Sequence, residues 1–371
     1  MVLAALLSGC AAPQVPEQKI ANPQGDLLLE ARKWTEEDGR VVACKRVAKE
    51  LAKFDDSDGM FEKRLMRTNG DKSFSYMDSV ARMPISQRQR TGIYIILGFN
   101  QDSGRSPPII RRAAERLVEK GFRARVLEVP GRKTVSENAA MVRAFLETEL
   151  PNVDRAVLIG FSKGSADLVE FWLEEAPKLP KRQIRKIHCW TNFAGVLRGS
   201  EVSRWLATSR SLKAALYRTL VNYNAGTLAA KFDDLASIGY DPWFVEDRKM
   251  PTGLAPDFLV INWVVVPAGP TGWAESDRLF KLLGKAGASG RRTIGPCDGL
   301  VESASSILPE RAGLRQWVVR ISGSHATLDG VYRIAAPVTE GYGNDDSDQL
   351  ESGMPLMNDF LRALPRSAIG R

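Results

Sequence analysis

Residues 155–165, Arg-Ala-Val-Leu-Ile-Gly-Phe-Ser-Lys-Gly-Ser, constrain this chain more than any other stretch. Ala156-Val157-Leu158-Ile159 is a short apolar run with the length and composition of a strand buried on both faces. Gly160-Phe161-Ser162-Lys163-Gly164 follows at once and fits G-x-S-x-G. Leu168, Val169, Phe171 and Trp172 then recur at helical spacing. Strand, tight turn and helix in this order would lift the Ser162 hydroxyl above a sheet. The turn strains the serine, and glycines at 160 and 164 remove Cβ atoms that would collide there. Ser162 is therefore a candidate nucleophile, and the N–H that follows it, on Lys163, points at a developing oxyanion.

Similar alternation runs through the rest of the chain. Residues 92–97, 124–129, 184–193, 258–266 and 316–321 read as buried strands, and 292–294 as a weak one. Residues 108–120, 136–150 and 276–283 read as helices; the first has Pro near its start and Gly121 at its end, and Ser136 can cap the second. This order implies an α/β class, a mostly parallel sheet flanked by helices and joined by right-handed crossovers. Residues 201–257 break the pattern: they are rich in aromatics, including Trp205, Tyr240 and Trp243, lack strand signals and read as an inserted helical cap. Residues 26–67 carry helical spacing at Leu27, Leu28, Ala31, Trp34, Val47 and Leu51, and read as two or three helices outside the main core. The expected divisions are 1–25, a polar tether behind an apolar start; 26–90, a helical extension; and 91–371, the main domain, whose tail includes a closing helix at 354–364.

Charge excludes some functions. The net charge is +8, but Lys and Arg are interspersed with Asp and Glu, so nucleic acid is not an expected partner, whereas an anionic lipid surface suits the excess. No apolar stretch has the length of a transmembrane helix. Four cysteines without a C-x-x-C pair and only two histidines leave little for zinc, and neither metal nor cofactor is expected. Cys189 and Cys297 are read as possible neighbours at one edge of the sheet.

A serine hydroxyl needs a general base. His188 lies within the run 184–193 and reads as a sheet histidine; His325 follows the last strand, at the end of the sheet where sites gather. His325 is the expected base. The base needs a carboxylate to orient it. Asp298 lies between Ser162 and His325 in a Gly/Pro loop and is the expected acid. Asp277 reads as a first-turn charge of a helix, and Asp257 precedes a strand, at the wrong end of the sheet.

These segments resemble the α/β-hydrolases of the bacterial lipase and esterase type. Leu97-Gly98-Phe99 stands where such lipases have a His-Gly-apolar oxyanion segment, and 160–164 is their nucleophile elbow. Residues 192–200 resemble their Thr-Pro-His-x-Gly-Ser strand end. Cys297-Asp298-Gly299-Leu300-Val301 resembles the Asn-Asp-Gly-Leu-Val segment around the catalytic acid. The likeness spans 91–330. It implies an α/β-hydrolase-type sheet with a helical cap, Ser162, Asp298 and His325 as catalytic triad, and the N–H groups of Phe99 and Lys163 as oxyanion hole. Leu97 replaces the usual histidine, Lys163 sets a charge beside the nucleophile, and Asp329 stands four residues beyond His325 where the family carries a calcium ligand directly after it.

The first residues also resemble a known signal. Leu7-Ser8-Gly9-Cys10, after the apolar Val2–Leu7, resembles the lipobox of bacterial lipoproteins, although no basic segment precedes it. The resemblance implies lipidation at Cys10, attachment to a membrane surface and a place in the bacterial cell envelope. The expected function is a serine hydrolase cleaving a small-molecule or lipid ester through an acyl-enzyme. The alternatives are an acyltransferase or thioesterase with the same triad, or a non-catalytic binding lipoprotein on a hydrolase fold.

Overall fold

A computed structural model describes residues 26–54, 84–99, 108–209, 214, 215, 218, 233–244, 248–267, 294–322 and 325. Cys10, Asp277, Asp329 and the helices expected at 276–283 and 354–364 lie outside the described residues.

Six strands form one parallel sheet: β1 (Thr91–Ile96), β2 (Arg123–Leu127), β3 (Arg155–Phe161), β4 (Ile187–Phe193), β5 (Leu259–Val266) and β6 (Gln316–Ser322). Their order across the sheet is β2-β1-β3-β4-β5-β6, with every neighbouring pair parallel. Crossovers return the chain to the same end, so all the strands finish at one edge. The helices are α1 (Leu27–Asp38), α2 (Arg40–Leu51), α3 (Pro108–Glu119), α4 (Val135–Glu149), α5 (Lys163–Glu170), α6 (Glu201–Thr208) and α7 (Asp233–Ile238). This is an α/β-hydrolase-type fold.

Alternation along each strand divides the core. Ile93, Ile95, Val157, Ile159, Ile261 and Trp263 face one side, where α3 supplies Ile110, Ala114 and Leu117. Tyr94, Ile96, Leu158, Trp190 and Val260 face the other, where α4 and α5 supply Val142, Leu146 and Leu168. Both faces are covered, which is why the central strands read as continuous apolar runs rather than as alternating ones.

Several boundaries differ from the sequence reading. Residues 181–184 form a helical turn, so β4 starts at Ile187. Helix α4 is capped by Thr134, not Ser136: Thr134 Oγ1 accepts from the Glu137 N–H, and Glu137 reaches back to the Thr134 N–H at 2.9 Å. Ile294 is not in a strand; the Asp298 segment is a loop closed by a bridge between Cys297 and Glu302. Cys189 and Cys297 are free thiols at opposite ends of the sheet. Cys189 pairs with the first residue of β5, whereas Ser303, one residue after Glu302, hydrogen-bonds the Val265 carbonyl near the last.

Helices α1 and α2 do not stand outside the core. Leu28, Ala31, Val47 and Leu51 are buried against Val264, Val318, Ala304 and Ile307, and cover β5 and β6 on the face that α5 also occupies. Asp26 caps α1 with its side chain, and Gly39, at φ +83°, makes the corner between the two helices.

Candidate active site

Ser162 sits between β3 and α5 with φ +50° and ψ −117°, a conformation that side chains rarely adopt. The surrounding backbone enforces it. The Ser162 N–H donates to the Phe193 carbonyl at 3.0 Å, and the Ser162 carbonyl accepts from Val196 at 3.2 Å and Ser165 at 3.1 Å. Close approach explains the glycines. A Cβ on Gly160 would meet the Ser165 backbone at 2.8 Å, and one on Gly164 would strike the carbonyl oxygens of Ile96 and Leu97. Beneath the turn, Phe161, Phe193 and Trp263 stack in register across β3, β4 and β5, with ring centroids 4.8 and 5.0 Å apart.

The sequence reading did not single out Ala194, the second non-glycine residue with positive φ among the described residues, at +42°. Its N–H donates to the Trp263 carbonyl at 2.9 Å, and it turns the chain so that Val196 can reach Ser162. The Ala-Gly pair at 194–195 was the available signal, since Gly195 presses its backbone against Ser165.

The structure brings Ser162, His325 and Asp298 together. Ser162 Oγ lies 2.9 Å from His325 Nε2, and His325 Nδ1 lies 2.8 Å from Asp298 Oδ2. An ionised carboxylate only accepts, so Nδ1 carries the proton and Nε2 is left to accept from the serine hydroxyl. The remaining oxygen of Asp298, Oδ1, accepts from the N–H groups of Leu300 at 2.9 Å and Val301 at 2.8 Å. The His325 N–H also donates to the Asp298 carbonyl at 2.6 Å, tying the two backbones together. Asp298 is buried, while Ser162 and His325 are partly open.

Lys163 departs from the expectation of a charge beside the nucleophile. Its side chain is 1% exposed, and its ammonium lies 2.8 and 3.1 Å from the two carboxylate oxygens of Asp167, one turn along α5. Burial pushes the Asp167 carboxyl up, and Lys163 and a 2.9 Å hydrogen bond from Asn138 counter it. The charge is thus neutralised within the protein, and an apolar cluster that includes Ala166 of α5 and Val196 lies beside the elbow: Val135, Ala166, Val196, Ile238 and Val301, with Phe99 and Leu300 packed on them. Lys163 is the first residue of α5, where N–H groups have no acceptor within the helix. Phe99 follows β1 at the same end of the sheet, under the Arg132 guanidinium. Arg132 in turn pairs with buried Asp234 of α7. From the expected cap, α6 and α7 pack Val202, Leu206 and Leu235 around Cys297, beside Asp298.

His188 and Asp257 lie together elsewhere, with Nδ1 2.7 Å from Oδ1. Asp257 precedes β5 and His188 is the second residue of β4, so the pair marks the end of the sheet away from Ser162.

No family model and no curated protein matches the chain. Among solved structures, it is similar to the metagenomic carboxyl esterase MGS0156, with 15% identity, 97% of each chain covered and a TM-score of 0.48. It is also similar to the Bacillus licheniformis lipase BlEst2 in mature form, with 14% identity over 66% of this chain and 92% of that one, TM-score 0.44. The Pyrococcus furiosus esterase Pf2001 aligns at 13% identity over 73% and 84%, TM-score 0.33.

Proposed function

We propose that this chain is a serine hydrolase that cleaves carboxylic esters through an acyl-enzyme. The observation that carries the reading is the continuous relay from Ser162 Oγ through His325 to Asp298, mounted on a strained turn at the C-terminal end of a parallel sheet. Ser162 Oγ attacks the ester carbonyl carbon and passes its proton to His325 Nε2. Asp298 accepts from Nδ1 and stabilises the imidazolium. The carbonyl oxygen becomes an oxyanion, held by the N–H groups of Lys163 and Phe99. Collapse breaks the carbon–oxygen bond to the alcohol, which leaves with the proton from Nε2. Water, activated by the same histidine, then releases the acid and restores Ser162. The apolar cluster beside the elbow favours an apolar acyl group.

The test is a series of para-nitrophenyl esters of graded chain length, with fluorophosphonate labelling of the wild type. Ser162→Ala should abolish labelling and lower turnover on the order of 10³-fold or more. Asp298→Asn should keep the fold while lowering turnover. Labelling that persists in Ser162→Ala would overturn the reading.

A further inference from the structure

The loop that carries Asp298 is held from outside the sheet. Arg32, on α1, grips Glu302 with two bonds, Nε to Oε1 at 2.9 Å and Nη2 to Oε2 at 2.6 Å. Glu302 is 2% exposed, and its Oε1 also accepts from the Gly295 N–H at 2.8 Å. The same residue bridges Cys297, and Ser303 N–H donates to the Pro296 carbonyl at 2.8 Å, so both ends of the loop meet at Glu302. Burial works against the Arg32 charge, but Glu302, with Glu201 at 3.7 Å and Asp241 nearby, outweighs it and the guanidinium pKa is raised. Ala31, its neighbour on α1, lies against Gly295: a Cβ added there would meet Glu302 Oε1 at 3.3 Å and the Ala31 methyl at 3.4 Å. The start of α1 is fixed as well. Arg198, 3% exposed, bonds both Asp26, the α1 cap, and Asp241. The segment containing Arg198 is joined to the far side of the loop by Ser200 Oγ to the Leu300 carbonyl at 2.6 Å and by Leu197 N–H to the Ser305 carbonyl at 3.1 Å. The loop is therefore clamped between α1 on one side and the chain leaving β4 on the other.

We propose that Arg32, acting through Glu302, is a positioning residue that sets Asp298 against His325. This rests on the hydrolase reading only in calling the outcome catalytic; the Asp298–His325 hydrogen bond can be read without any substrate. A bidentate guanidinium–carboxylate pair fixes direction as well as distance, which a lysine cannot do. Asp298 is four residues from Glu302, within the same closed loop, so loosening the fork displaces the acceptor of the histidine proton. Displacements of about 1 Å in such a site cost on the order of 100-fold in rate.

The chain has only two histidines, which makes the bond directly observable. In a His188→Gln background, the downfield proton resonance of His325 Nδ1 reports the bond to Asp298. Arg32→Ala, Arg32→Lys and Glu302→Gln are compared with the parent in the full chain. The expected result is that Arg32→Ala and Glu302→Gln broaden or lose this resonance while the variants stay folded. On a para-nitrophenyl ester, kcat should fall about 10- to 100-fold with KM little changed, and Arg32→Lys should recover only part of the loss. Combining Arg32→Ala with Asp298→Asn should cost little beyond Asp298→Asn alone, because both act on one bond. If Arg32→Ala does not fold, Arg32→Lys and Glu302→Gln carry the same test. An unchanged resonance with unchanged kcat, or losses that add in full to that of Asp298→Asn, would overturn the proposal. A lost resonance in a chain that no fluorophosphonate labels would instead uphold the positioning and sink the hydrolase reading.

Discussion

At the scale of the residue, the nucleophile candidate stores strain. A backbone held in a sparsely populated region at positive φ costs a non-glycine residue about 1–3 kcal/mol, and Ser162 and Ala194 both have positive φ, in the turns after β3 and β4 that hydrogen-bond to each other. Ser162→Gly should therefore raise the urea midpoint while abolishing ester turnover, and Ala194→Gly should add about 0.5–1 kcal/mol of stability, once the extra entropy of an unfolded glycine is subtracted. Urea denaturation with an unchanged m-value checks both; a fall in stability for either would mean that the turn is not strained. The serine was legible because G-x-S-x-G has few structural uses between a strand and a helix. Ala194 was not, because alanine itself has no sequence signature for positive φ and only the adjacent Gly195 pointed to a tight turn there.

At the scale of the element, α5 carries two constraints that can be separated. Gly164→Ala would drive a methyl into the carbonyls at the end of β1, and should destabilise by about 1–3 kcal/mol in urea unfolding. Lys163 and Asp167 form a buried ion pair, and removing one partner strands the other charge. Asp167→Asn should cost about 3–5 kcal/mol, and the double variant Lys163→Met with Asp167→Leu should recover most of it. A single variant no less stable than wild type would show that the pair is dispensable. The i, i+4 spacing of Lys163 and Asp167 was present in the sequence, but it equally describes a solvated helix face; only burial distinguishes the two. The strands were legible because covered sheets produce unbroken apolar runs. The cap of α4 was not, because Thr134 and Ser136 are both hydroxyl residues and backbone direction decides between them.

At the scale of the whole molecule, the division into a helical extension at 26–90 and a main domain at 91–371 leaves out how the chain closes its core. Leu28, Ala31, Val47 and Leu51 cover the β5–β6 end of the sheet. A chain beginning at residue 84 should consequently be insoluble or bind a dye for exposed apolar surface, whereas the full chain should not. Recovery of a soluble truncated chain with native far-ultraviolet circular dichroism would reject this. Amphipathic spacing revealed the two helices but not their destination, because nothing in a helical stripe names the surface that it covers. Glu302 was missed for the same reason: its partner, Arg32, lies 270 residues away in the chain.

The position of that helical pair also has a consequence for synthesis. The sheet starts at β1, gains its edge strand β2 and then grows from β3 to β6, whereas α1 and α2 are made before it and cover its last two strands. Roughly 200 residues separate α2 from β5, which at typical rates of translation is a delay of about 10–40 s. Throughout that interval the ribosome holds a finished amphipathic hairpin with nothing of its own to cover. Molecular chaperones that shield such stripes would then be needed most at this helical pair, before the sheet that covers it is made.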